Sequence, residues 1–186
     1  PFAKYYSNVS YKLDEFIDLF PIHPEYFLIF DQMTIIENRS ALKTISSIIE
    51  KKLDEEIPTD LPGVVSYDSY WNFILNDSSA SIIPDIRECK KISQNLESRI
   101  KASMERKANV PNALRIIHAL SIHRLTTEDV DTPIGPTSTE LKNDLLLFNQ
   151  TALLGGDPEA DLLTHVESIL KLILKTVNGQ FITYND

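Results

Sequence analysis

Residues 111–125 (PNALRIIHALSIHRL), 137–147 (TSTELKNDLLL) and 158–182 (PEADLLTHVESILKLILKTVNGQFI) decide how this chain is read. The first stretch is apolar on most faces and opens on Pro111, whose missing amide donor costs nothing in the first turn of a helix. The second is short and follows a loop, TTEDVDTPIGP, at 126–136. The third sets Leu163, Val166, Leu170, Ile173 and Val177 at helical spacing, and Leu162, Ile169 and Leu174 widen that face. Asp157-Pro158 supplies its cap and its first-turn proline. A glycine and a β-type run come next. Helix, short helix, long helix and extended run is the order of a winged helix-turn-helix, with the wing cut short at Asp186. The chain also opens on Pro-Phe-Ala without an initiator methionine. The expectation is a piece of a longer protein, whose function belongs to the parent.

Upstream, amphipathic helices follow one another. Residues 10–20 (SYKLDEFIDLF) put Leu13, Phe16, Ile17 and Phe20 on one face behind a Ser10 cap, and Pro21 stops the helix. His23-Pro24 opens the next, with Tyr26, Phe27 and Phe30 expected inside. Leu42, Ile45, Ile48, Ile49 and Leu53 make an apolar stripe over 39–55. Residues 57–63 (IPTDLPG) are punctuated by two prolines and a glycine, so they read as a loop. Tyr70, Trp71, Phe73 and Ile74 belong to a helix beginning near Asp68. A long helix over about 84–106 buries Ile86, Cys89, Ile92, Leu96, Ile100 and Met104. The hinge at 107–110 marks a boundary between a helical subdomain, 1–107, and a winged-helix-like subdomain, 108–186.

Composition narrows the function. The formal net charge is −9, which opposes bulk attraction to nucleic acid and leaves only a local basic face as a contact. The single cysteine, Cys89, excludes an internal disulfide and fits a cytoplasmic protein. No stretch approaches the roughly 18 apolar residues of a membrane span.

Catalytic chemistry is sparse. The glycines at 63, 135, 155, 156 and 179 precede no Lys, so the chain carries no Walker loop and no nucleotide cofactor of its own. His118 and His123 stand five apart and do not share a helix face, and one cysteine without a paired-histidine motif gives no metal site. Cys89 has apolar helical neighbours and reads as a core thiol. Tyr67, Tyr70 and Trp71 read as an aromatic plug, with a stacking surface as the other reading. No residue is assigned a catalytic role.

Two sets of cations remain. The 84–106 helix is the most basic segment and offers Arg87, Lys90 and Lys91 as candidate DNA contacts, against a solvated charged face as the other reading. On the third helix of the winged motif, the one that would enter a major groove, Lys171 and Lys175 are the candidates. They are mixed with Glu159, Asp161 and Glu167, so partner docking is favoured over DNA reading. Arg39 stands at a helix start, where the macrodipole disfavours a cation unless an anion lies near. Otherwise it is a surface arginine outside the cap.

The runs FPIHPEYFLIFDQM (20–33), NRSALKTIS (38–46), PGVVSYDSYWNFI (62–74), IPDIRE (83–88), ALRIIHALSIHRLTT (113–127) and PIG (133–135), with GGDPEADLLTHVE (155–167) and KTVNGQFI (175–182), resemble a large bacterial and archaeal P-loop ATPase family. Its members include the BrxC/PglY-type ATPases of BREX phage-defence systems. The resemblance covers most of the chain. It implies a mainly α fold, an AAA+-lid-like helical bundle followed by the winged helix, with the Walker motifs upstream in the parent. ATP and magnesium would then belong to the parent alone. Partners would be the upstream ATPase core and other defence-system proteins, with DNA also possible and no membrane. Arg39 matches a sensor arginine that reaches a γ-phosphate, although no Gly or Asp stands just before it. The expected function is a non-catalytic regulatory or coupling part of such an ATPase. A stand-alone helical interaction module and a winged-helix DNA-binding regulator are the alternatives.

Overall fold

The computed structural model describes residues 2–33, 38–56, 61–126, 135–149 and 156–183. The chain is mainly helical. In order come α1 (Ser7–Tyr11), α2 (Leu13–Leu19), α3 (Glu25–Asp31), α4 (Asn38–Lys52), α5 (Ser69–Asn76), α6 (Pro84–Ser103), α7 (Val110–Arg124), α8 (Ser138–Asp144) and α9 (Pro158–Val177). Among the described residues there is no strand, only a parallel bridge between Ile22 and Val65. Val65 N donates to Pro21 O at 2.8 Å and His23 N donates to Val65 O at 2.9 Å.

Local signals place the last two helices. Thr137 Oγ1 accepts from the Glu140 amide at 3.2 Å, and Glu140 Oε2 accepts from the Thr137 amide at 2.7 Å. This reciprocal capping box satisfies two of the donors a helix start leaves open. Asp157 Oδ1 accepts from the amides of Glu159 and Ala160 at 3.1 and 3.2 Å, and Pro158 fills the first turn of α9. At the far end Asn178 is left-handed (φ 53°) and Gly179 has φ 65°. Gly179 N donates to Leu174 O at 3.0 Å, which closes the helix.

The main core is one cluster. Trp71 and Ile74 of α5, Ile86, Leu96 and Ile100 of α6, Ile116 and Ile117 of α7, and Ile169 and Ile173 of α9 all belong to it. The boundary expected at 107 falls on a 3-10 turn, Lys107–Asn109. The core runs across it, because α6 packs on α7 and α9. A second cluster joins Tyr6, Phe16, Leu146 and Leu162, pinning the N-terminal segment against α8 and α9. Tyr67, Tyr70 and Trp71 are buried as the plug reading expects.

Some expectations shift. The helix over 10–20 is two helices that break at Lys12, and of its apolar face only Phe16 is buried. Leu42 and Leu53, the ends of the α4 stripe, are exposed. The buried row of α9 is Leu162, Val166, Ile169, Leu170, Ile173 and Val177, all on the expected face, of which Leu163 and Leu174 are only partly buried. Residues 178–183 form a turn where a β wing was expected, and 184–186 lie outside the described residues. The positive φ angles at Asn178, Gly179 and Phe181 break the extended run at its start.

Candidate functional site

Helix α6 divides its residues between two environments. Ile86, Cys89, Lys90, Ser93, Leu96, Glu97 and Ile100 face inward. On the outer side Pro84, Arg87, Glu88, Lys91, Ile92 and Asn95 recur every three or four positions and line a groove of about 580 Å³, closed at one edge by Phe181. Phe181 is 62% exposed. Arg99 holds that edge in place, donating Nη1 to Gln180 Oε1 at 2.6 Å and to Val177 O at 3.4 Å. The second bond puts a cation on a carbonyl at the C-terminal end of α9, where the helix dipole favours it.

The inward side of α6 is fixed by polar ties. Trp71 Nε1 donates to Ser93 Oγ at 2.8 Å. Glu97 Oε1 lies 3.1 Å from His118 Nε2, and Glu97 Oε2 accepts from Lys101 at 3.0 Å. Cys89 is buried and its thiol is pushed up to about 11 by that burial, so it is not a thiolate at neutral pH. These contacts set the rotation of α6 and hence which side chains reach the groove.

The cations singled out in the sequence part ways here. Arg87 and Lys91 are exposed and stand together on the groove wall. Lys90 does not join them, and its candidacy as a DNA contact is corrected. It is buried, and its ammonium donates to Asp77 O at 2.7 Å and Ser81 Oγ at 2.8 Å, closing the turn ahead of α6. A signal was present in its spacing: Ile86, Lys90, Ser93 and Glu97 continue the buried row. Lys171 is exposed on α9, and Lys175 is exposed but bonded to Glu105 at 2.6 Å. They lie on a different helix from Arg87 and Lys91. Arg39 falls in α4, and its side chain lies outside the described residues.

A second polar centre went unread in the sequence. Arg115 of α7 donates Nε to Asp68 Oδ2 at 2.9 Å and Nη2 to Ser66 Oγ at 2.7 Å, and also bonds Leu145 O. Ser66 Oγ donates to Asp68 Oδ1. This centre ties the segment before α5 to the end of α8, beside a small pocket of about 180 Å³ that includes Lys52 and Ile48. Nearby, His123 Nε2 meets the Tyr67 hydroxyl at 3.0 Å. His118 and His123 therefore serve different partners, as their spacing predicts. Among the described residues no group of three or more His, Cys, Asp or Glu is placed to hold a metal ion. None of the described helices is long and apolar enough to cross a membrane.

A mainly helical domain with an amphipathic groove helix is the class that fold and site define. The family model for the DUF6079 second domain matches residues 1–186, and the chain belongs to that family. No curated protein and no solved structure matches it.

Proposed function

We propose that this chain is a non-catalytic coupling domain of a longer protein, and that the α6 groove is where it takes hold of a protein partner. The observation that carries this is the two-sided use of α6. One face is built into the core shared by α5, α7 and α9, and the other lines the groove with Arg87 and Lys91. A load on the groove thus reaches the core through one helix. The family description, a second domain, supports a place among other domains of one chain.

The identity of the parent rests on the resemblance described above. A P-loop ATPase of the BREX phage-defence kind would supply ATP and magnesium chemistry upstream. The α1–α6 part would correspond to the lid, and α7, α8 and α9 to a winged-helix module. Arg39 at the start of α4 would be the phosphate-sensing residue.

A protein partner is favoured over DNA. Glu88 stands in the groove wall between Arg87 and Lys91, and the whole chain has a net charge of −9. Phosphates would meet that carboxylate, whereas a protein segment can pair with both signs and place an apolar residue on Ile92 and Phe181. On α9 the Glu105 bond to Lys175 similarly weakens a groove-reading role.

The test is ATP hydrolysis by the longer protein, with and without its associated proteins and with and without duplex DNA, repeated for Arg87→Glu with Lys91→Glu. Stimulation by a protein that the double variant loses supports the proposal. An equal response of variant and parent removes the groove from it, and a parent without turnover removes the ATPase. Stimulation by DNA that falls steeply with salt would favour the DNA-binding alternative.

A further inference from the structure

The turn that forms the edge of the α6 groove begins on an Asn-Gly pair. Asn178 and Gly179 follow α9 directly, and with Gln180 they are exposed. In such a pair the side-chain amide of the asparagine and the next main-chain nitrogen can react with each other. Two features decide whether they do: how open the glycine is, and how its nitrogen stands to the asparagine side chain. Gly179 is open, since a side chain added there would meet no atom within 4 Å. The second feature opposes reaction. Ring closure needs the Gly179 nitrogen and Asn178 Cβ on the same side of the bond from Cα to the carbonyl carbon. With Asn178 left-handed at φ 53° and ψ 38°, the two are nearly opposite. Asparagine enters this region more readily than most residues, which lets it end α9. Gly179 N is also engaged as a donor to Leu174 O at 3.0 Å, and Arg99 fixes the next residue through Gln180 Oε1 at 2.6 Å. The folded turn therefore holds a reactive pair apart.

We propose that Asn178 is a deamidation site gated by this turn: the pair is slow to react while the turn is closed and reacts when it opens. Once Asn178 ψ is released, the Gly179 nitrogen gives up its proton and attacks Asn178 Cγ. The new C–N bond forms as the Cγ–Nδ2 bond breaks, and ammonia leaves. The cyclic imide then takes up one water at either of its carbonyls. Opening at one leaves an aspartyl residue at 178, and opening at the other leaves an isoaspartyl link. Water is the only co-reactant, and nothing is oxidised or reduced. The isoaspartyl link adds a carbon to the main chain between 178 and 179, so Gly179 N no longer meets Leu174 O as before. The aspartyl product places a carboxylate at the C-terminal end of α9, where the helix dipole opposes it. Either product loosens residues 179–182 and draws Phe181 away from the groove edge. The modification is thus a one-way loss of the groove that spares the core on the other face of α6.

The experiment follows the peptide containing residue 178 by mass spectrometry while the full-length protein stands in mildly alkaline buffer, which favours loss of the amide proton. It is repeated in urea, and for Arg99→Ala and Asn178→Gly. Conversion at 178 is expected to be at least about tenfold slower in the folded protein than in urea. Arg99→Ala should speed it about two- to fivefold, in step with the exposed bond it removes. Converted protein should exchange its 179–182 amides faster while α6 and α7 keep their protection. Asn178→Gly accepts the left-handed angle, keeps the turn and gives no conversion. Equal rates in folded and unfolded protein would overturn the gating, and so would an unchanged rate in Arg99→Ala. No conversion even in urea would overturn the site itself. If Arg99→Ala lowers protection in α6 and α7, Gln180→Ala, which leaves the arginine in place, decides by the same rate. None of these readouts needs a partner or ATP turnover, so this inference and the groove proposal fail separately.

Discussion

Arg99 reaches from α6 to Gln180, 81 positions along the chain, and donates Nη1 to its Oε1 at 2.6 Å. That bond ties the turn after α9, which Gly179 N closes on Leu174 O, to α6. It holds residues 178–182 against α6, and with them Phe181, whose φ of 65° is a conformation most side chains avoid. A residue in that region persists only where its surroundings hold it there.

Removing Arg99 should therefore loosen the groove more than the fold. The pair with Gln180 is surface-exposed and Arg99→Ala should cost only about 0.5–1 kcal/mol in urea unfolding. The amides of residues 179–182 should lose protection, and a peptide or protein captured by the groove should bind more weakly. Unaltered exchange at 179–182 would show that the closure of α9 by Gly179, and not Arg99, fixes the turn.

The Arg115 centre makes the opposite prediction. Asp68 is nearly buried, with 7% of its side chain exposed, and Arg115 is its only ion-pair partner among the described residues. Deleting the guanidinium leaves a buried carboxylate facing Ser66. Arg115→Met should cost about 3 kcal/mol, toward the lower end for a broken buried pair because Arg115 keeps a third of its side chain in water. The double variant Arg115→Met with Asp68→Asn should recover part of that loss, since no unpaired charge remains. A double variant less stable than the single one would contradict this account.

How far the chain was legible follows from what each signal encodes. Capping chemistry is local, so Asp157 with Pro158 marked the start of α9 directly, whereas the equally local Thr137–Glu140 capping box of α8 was not read. Aromatic clusters also read correctly, because Trp71, Tyr67 and Tyr70 have few ways to satisfy their size except burial. Periodicity marks an apolar face but not what that face meets. Leu13 and Ile17 have the spacing of buried residues and point to solvent. Charge type misled in the same way: Lys90 looks like a surface cation, but its position on the buried row of α6 turns its ammonium to Asp77 and Ser81. The Asp68–Arg115 pair joins residues 47 apart in sequence, and no local pattern announces it.

Asp144 and His23 should make stability depend on pH in opposing directions. Burial, with Glu25 and Glu140 nearby, raises Asp144 to about 7 from its ordinary 3.8. Burial lowers His23 to about 4 from 6.5. Between about pH 4 and 7 the folded state thus holds a proton on Asp144 that the unfolded chain has already released. Stability from that group is present at low pH and is lost as pH rises through the window. His23 does the reverse: it is neutral when folded, and its contribution is lost as pH falls from 6.5 toward 4. The two slopes largely cancel between pH 4 and 6.5. Asp144→Asn removes one of them, so the variant should gain on the unaltered protein progressively from pH 4 to 7, by at most about 4 kcal/mol for a shift of that size. Denaturant unfolding at half-unit pH steps checks this. A difference between the two proteins that does not change with pH would place the Asp144 carboxyl in solvent.

Lys142 provides the last test, on how the N-terminal segment is held. Its side chain is 1% exposed, and its ammonium donates to Glu159 Oε1 at 2.6 Å and to Tyr5 O at 3.0 Å. The same Glu159 oxygen accepts from the Ser7 amide at 3.2 Å, so α8, α9 and the start of the chain meet at one charge pair. Lys142→Met keeps the buried stem and removes only the ammonium. Glu159 is partly exposed and can turn to water, so the main loss is the carbonyl of Tyr5, at a cost of about 1–2 kcal/mol. That loss should be local: residues 2–11 should become susceptible to proteolysis while α6 and α7 keep their exchange protection. Lys142→Arg should not restore the contact, because a planar guanidinium does not fit a site shaped for a compact ammonium. If Lys142→Met instead lowers protection evenly across the chain, the pair supports the whole core, and the N-terminal segment is held chiefly by Tyr6 and Phe16.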